Sequence, residues 1–130
     1  MKYLCFDLGL SHTGVAISQE GQLVTPLTTI FASNRQLLLK KITTLISSHS
    51  PAQVILGFPT SGPIRDLSHW LADQLTVAGF PALLFSEDSS SQAARKHMAK
   101  THRSISVRRR QEHALAAAII LEEYLDSLLE

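Results

Sequence analysis

Residues 1–18 read MKYLCFDLGLSHTGVAIS, and reading this stretch as two strands joined through glycines decides the fold class. Tyr3–Leu8 is a mostly apolar run that ends at Asp7-Leu8-Gly9, and Gly14–Ser18 is a second short run of the same kind. Glu20-Gly21 then turns the chain into Leu23–Phe31, rich in Thr, Leu and Ile. Three strands with short connections predict an antiparallel meander. A helix is expected to start near Ser33, with Gln36 at capping-box spacing. Leu38, Ile42, Leu45 and Ile46 form its apolar stripe, and Ser50-Pro51 ends it. Val54–Leu56 is a buried strand leading into Gly57-Phe58-Pro59. Pro63 sits where a first helical turn tolerates proline. Ile64, Leu67, Leu71, Leu75 and Ala78 follow at helical spacing, and Gly79 is the stop. Ala82–Phe85 is the fifth strand. A helix capped by Asp88 or Ser89 is expected to about Lys100, and a last one over Gln111–Leu129, patterned on Leu121, Tyr124 and Leu128. The order β-β-β-α-β-α-β-α-α predicts an α/β sandwich, a five-stranded sheet with helices on both faces.

With 130 residues, one domain over 1–130 is expected, large enough to hold a core without disulfides or a structural metal. A hydrophobic fraction of 45% and a charged fraction of 18% exclude a disordered chain. No apolar run approaches the roughly 18–20 residues that span a bilayer. Asp7 interrupts the apolar start, which argues against a secretory signal. The single Cys5 cannot form an internal disulfide, so a buried reduced thiol in the cytoplasm is expected.

The net charge of +1 by itself argues against a strongly basic nucleic-acid binder, but its distribution is uneven. Seven of the twelve basic residues lie between Arg95 and Arg110, with no acid among them: Arg95, Lys96, Lys100, Arg103, Arg108, Arg109 and Arg110. Five acids and no Lys or Arg follow from Gln111 onward. A dense block of one sign is either a solvated loop or a patch for phosphate.

Asp7 ends an apolar strand, a costly place for a charge unless it is exposed or paired, and strand ends are where open α/β sheets bind ligands. Gly9 and Gly14 complete the pattern D-x-G-x-x-x-x-G. Such glycines either let the backbone approach a phosphate or serve a turn and a bulge. Glu87-Asp88 follows the fifth strand in a matching position. Asp88 suits a helix N-cap, whereas Glu87 has no such explanation. Two carboxylates at separate strand ends could share a hard divalent cation of the kind that activates water on a phosphodiester. A third ligand is expected from the last helix, where His113 shares a stripe with Ala117, Ile120, Leu121 and Tyr124. Imidazole suits Mn²⁺ or Zn²⁺ better than Mg²⁺, and a capping or core histidine is the competing explanation. His12, His49, His69, His97 and His102 show no ligand spacing and read as surface residues. Arg108–Arg110 are read as preceding the last helix, where cations meet its positive end and an anion nearby would compensate.

The ordered combination of MKYLCFDLGLSHTGVAIS (1–18), PLTTI (26–30), VILGFP (54–59) and AAAIILEEYL (116–125) resembles the YqgF/RuvX family. That family comprises Holliday-junction resolvases, also described as pre-16S rRNA nucleases, with an RNase H-like fold. The resemblance runs over essentially the whole chain. It implies a five-stranded mixed sheet whose first three strands are antiparallel. It also implies an acidic triad: Asp7 matches the strand-one Asp, Glu87 the Glu of an Asp-Glu-Arg motif, and the last Asp falls on His113. Ser11 and His12 occupy places where the family usually has Lys-Arg, Asp88 stands where it has Arg, and the loop after Gly57-Phe58-Pro59 is several residues short.

Taken together these readings predict a metal-dependent endonuclease using Mg²⁺ or Mn²⁺ on structured RNA or branched DNA. Asp7, Glu87 and His113 would form its site, and Arg95, Lys96, Arg103, Arg108, Arg109 and Arg110 would contact phosphates without reading sequence. It would act as a monomer or homodimer away from membranes. A non-catalytic nucleic-acid-binding module is the alternative, supported by His113 in place of a carboxylate. The first motif also resembles the phosphate loop of actin-like ATPases, but those bind nucleotide between two related domains and this chain has room for one.

Overall fold

In a computed structural model of the chain, residues 1–59, 62–86 and 105–129 are described, with 105–111 described for their backbone alone. Five strands form one sheet: β1 (Tyr3–Asp7), β2 (His12–Ser18), β3 (Thr25–Phe31), β4 (Gln53–Phe58) and β5 (Ala82–Ser86). Their spatial order is β3-β2-β1-β4-β5. The first three strands pair antiparallel, whereas β4 pairs parallel with both β1 and β5. This is the mixed sheet that the resemblance implies.

Side-chain alternation along β1 explains why both faces are covered. Leu4 and Phe6, with Leu8 just beyond, enter a core shared with Leu38, Ile42 and Ile46 of helix α1 (Arg35–His49) and with Leu67, Leu71 and Leu75 of helix α2 (Pro63–Val77). Tyr3 and Cys5 face the other way, into a core built with Ala117, Ala118, Ile120 and Leu121 of helix α3 (Ile105–Ser127). Strands buried on both faces read as continuous apolar runs, as β1 and β4 do. Cys5 is fully buried, as its sequence context predicts. No helix among the described residues is long and apolar enough to cross a membrane.

Helix α3 lies close to the sheet because the residues beneath it are small. A Cβ on Gly14 would run into the backbone carbonyl of His113 and come within 2.9 Å of the Ala114 nitrogen. A Cβ on Gly57 would meet Ile120 Cδ1 at 2.9 Å. Close backbone approach is one of the few places where glycine is required for want of space.

Element boundaries differ from the sequence-based expectation in ways that have physical causes. Asn34, rather than Ser33, caps α1, its side-chain oxygen accepting the Leu37 backbone N–H at 2.9 Å. Pro63 opens α2 as expected, and Gly79 follows that helix at φ +91°, in the left-handed region. Gly57 and Phe58 belong to β4 itself. Strand β2 starts at His12, two residues before the expected Gly14. Helix α3 starts at Ile105, six residues before the expected Gln111. Arg108–Arg110 therefore lie inside the helix and do not precede it. Arginine is a good helix former, and that local preference carries the helix upstream through a run that looks like a loop by charge alone.

Candidate nucleic-acid-cleaving site

Parallel pairing aligns the carboxyl ends of three strands along one side of the sheet. Asp7 stands opposite Gly57, and Phe58 stands opposite Ser86. The antiparallel neighbour contributes its beginning there, because Asp7 also pairs with Gly14 of β2. Asp7, the last residue of β1, is partly buried. By alternation it is on the face of Tyr3 and Cys5, the face that α3 covers. Gly14 shares that face and lies under the His113 carbonyl. The fold thus brings Asp7 and His113, far apart in sequence, to the same end and face of the sheet.

His113 lies in the third turn of α3, where the sequence reading has it in the first. It leads the buried run that continues through Ala117, Ile120 and Leu121, as its stripe predicts, but its own side chain is 40% exposed. One edge lies 4.0 Å from the Glu112 carboxylate (Nε2 to Oε1), a contact on the helix surface worth little in water. Another neighbour is an imidazole. The rings of His12 and His113 stack with centroids 5.0 Å apart and planes within 18°. His12 also meets Phe31 edge-on at 4.8 Å and shares a 2.7 Å hydrogen bond with Ser11 between Nδ1 and Oγ.

His12, which the sequence reading assigns to the surface, is partly buried and stacks on His113. Its signal is strand parity. Once β2 begins at His12, residues 12, 14 and 16 share one face, which is the face of α3. His69 is exposed and touches Phe58 edge-on at 5.8 Å, away from this cluster. His49 is partly buried, and its carbonyl accepts a hydrogen bond from Lys2 Nζ.

Both motif glycines acquire packing reasons. A Cβ on Gly9 would run into the carbonyl of His12, so the Leu8–Ser11 connection closes tightly only with glycine there. Gly14 is fixed by the approach of α3. Glu87, Asp88, Arg95, Lys96, Arg103, His97 and His102 lie outside the described residues. Among the described residues, no group of three His, Cys, Asp or Glu side chains is spaced to hold a metal ion. Of the three expected ligands, Asp7 and His113 are the two that lie among the described residues.

Comparison with known proteins adds to this geometry. The family model described as "RuvX: Holliday junction resolvase" matches residues 1–127. The chain belongs to the RuvX family. A relative from Roseiflexus sp. (strain RS-1), described as "Putative pre-16S rRNA nuclease", is 32% identical over 97% of this chain and 94% of its own length. A Bacillus subtilis (strain 168) relative with the same description is 32% identical over 98% of this chain and 99% of its own. Among solved structures, T. thermophilus RuvC in complex with Holliday junction substrate superposes with a TM-score of 0.62 at 14% identity, covering 99% of this chain and 96% of that one. The fowlpox virus resolvase bound to Holliday junction DNA gives 0.63 at 11% identity, with both chains covered completely. At such low identity these two show the fold, which is RNase H-like. The RuvX chain described here therefore has the sheet, the covering helices and the strand-end Asp7 that its sequence predicts.

Proposed function

We propose that this RuvX chain is a metal-dependent endonuclease that hydrolyses phosphodiester bonds in structured nucleic acid. The observation that supports the reading is that Asp7, at the carboxyl end of β1, lies at the same end and face of the sheet as His113, whose backbone closes over Gly14. The curated relatives' description favours maturation of the 16S rRNA 5′ end in the cytoplasm as the biological reaction. Resolution of Holliday junctions is the second substrate reading, and two sites on a branched duplex would then require a homodimer.

Asp7, Glu87 and His113 would hold the divalent cation, Mg²⁺ or Mn²⁺, with the nitrogen of His113 favouring Mn²⁺. When bound, the cation supplies an acidified water and stabilisation of the developing negative charge on the phosphate. Asp7 contributes a fixed carboxylate on the central strand, which a packed sheet positions more rigidly than a loop would. Arg108–Arg110, now placed on helical backbone, with Arg95, Lys96 and Arg103, would neutralise backbone phosphates and so give salt-dependent, sequence-independent binding.

Labelled structured RNA and a labelled four-way DNA junction, each with Mn²⁺, Mg²⁺ or chelator, test the reading. We expect cleavage of at least one substrate that chelator abolishes and that Glu87→Gln slows by at least ~100-fold, the scale on which loss of an essential charged group acts. Equal rates for wild type and Glu87→Gln would remove Glu87 from the site. The alternative, a binding module without catalysis, is favoured by a histidine where the family has its last Asp. It predicts salt-dependent binding that chelator leaves unchanged, with no cleavage of either substrate.

A further inference from the structure

We propose that His12 is a positioning residue that holds the His113 ring in its working orientation over the carboxyl end of β1. The proposal rests on the nuclease reading for what that orientation serves, but its geometry stands independently.

His12 and His113, far apart in sequence, are in direct contact. Their rings stack at 5.0 Å and 18°, within the range of offset aromatic pairs. The backbone of His113 is fixed by its approach to Gly14, so what remains to be set is the side chain. On its own helix, the only neighbour within salt-bridge reach among the described residues is Glu112, at 4.0 Å and exposed. Such a contact selects no single rotamer. The His12 face does select one, because His12 is itself held. Its backbone pairs with Phe31. The Phe31 ring meets it edge-on at 4.8 Å and 74°, and Ser11 Oγ fixes one ring nitrogen at 2.7 Å. Phe31, His12 and His113 thus form a relay of rings from the edge strand to the site. It is an orienting stack and needs no proton on either imidazole.

The test uses the full chain as wild type, His12→Ala and His12→Phe. Aromatic carbon–proton spectra report the His113 ring directly, and cleavage of the labelled RNA with Mn²⁺ reports function. In His12→Ala the His113 ring protons lose the shielding of the stacked face and move downfield, while thermal melting shows that the chain stays folded. The kcat falls by about two- to tenfold, the fold-change equivalent of one aromatic pair, and KM is unchanged. His12→Phe keeps a ring at the same place, so both the shielding and the rate return toward wild type. Unchanged His113 signals in His12→Ala overturn the proposal. So does His12→Phe cleaving as slowly as His12→Ala, since His12 would then act through its nitrogens. If wild type cleaves nothing, the nuclease reading fails by itself, and the chemical shifts still decide whether His12 orients His113.

Discussion

Gly14 shows how a residue's meaning can change between sequence and structure. In the pattern beginning at Asp7 it reads as a backbone opening toward phosphate, whereas in the fold it is the place where α3 touches β2. The two readings predict different losses. A Cβ at Gly14 meets helix backbone, the His113 carbonyl and the Ala114 nitrogen, and neither can rotate aside. At Gly57 the obstacle is the flexible end of Ile120. Gly14→Ala is expected to destabilise by about 1–3 kcal/mol or more, and Gly57→Ala by less, on the usual scale of overpacking. Urea unfolding checks this as a lower midpoint with an unchanged slope. The place of Asp7 at the end of β1, by contrast, is legible in the sequence, because the apolar run stops at that charge. That of His12 is not, because its role depends on where β2 begins and on a helix more than 90 residues away.

Among the elements, strands and apolar helical stripes were the legible part, and helix beginnings were not. The stripes of α1 and α2 follow the apolar spacing closely. Ser33 and Asn34 are both good caps, and only the geometry of the entering chain chooses between them. The start of α3 was obscured because like charges suggest a loop while arginine's backbone preference favours helix. The seam between α3 and β1 gives a prediction of its own. Tyr124 lies edge-on to Tyr3 at 6.0 Å and to Phe85 at 5.7 Å. Burial, and secondarily the neighbouring Tyr3 hydroxyl, raises the Tyr124 pKa above 10.0. The folded chain then holds the phenol proton more tightly than the unfolded one. This contribution to stability is fully present below pH 10 and is lost as pH rises through the raised value. Alkaline difference absorbance paired with denaturation should show it, and Tyr124→Phe should flatten that limb of the profile.

At the scale of the molecule, the sheet order sets the whole arrangement. Placing β1 between β2 and β4 flanks Asp7 with two glycines, Gly14 and Gly57, and their lack of side chains lets α3 close onto the sheet beside it. Among the described residues, one helix covers that face and two cover the other, and the crossover from β4 through α2 to β5 brings the chain back to the same side at Ser86. The near-neutral total charge hid an arrangement in which the basic run continues directly into the helix that carries His113. The cutting of nucleic acid at this end of the sheet, with a divalent cation held in part by Asp7, is what we propose. Its most direct test is the initial rate of Mn²⁺-dependent cleavage of a labelled 16S rRNA precursor 5′ segment by wild type and by Asp7→Asn, a nearly isosteric change. Chelator-sensitive cleavage by wild type and a loss of at least ~100-fold in the variant are expected. Cleavage by Asp7→Asn at the wild-type rate would contradict the proposal.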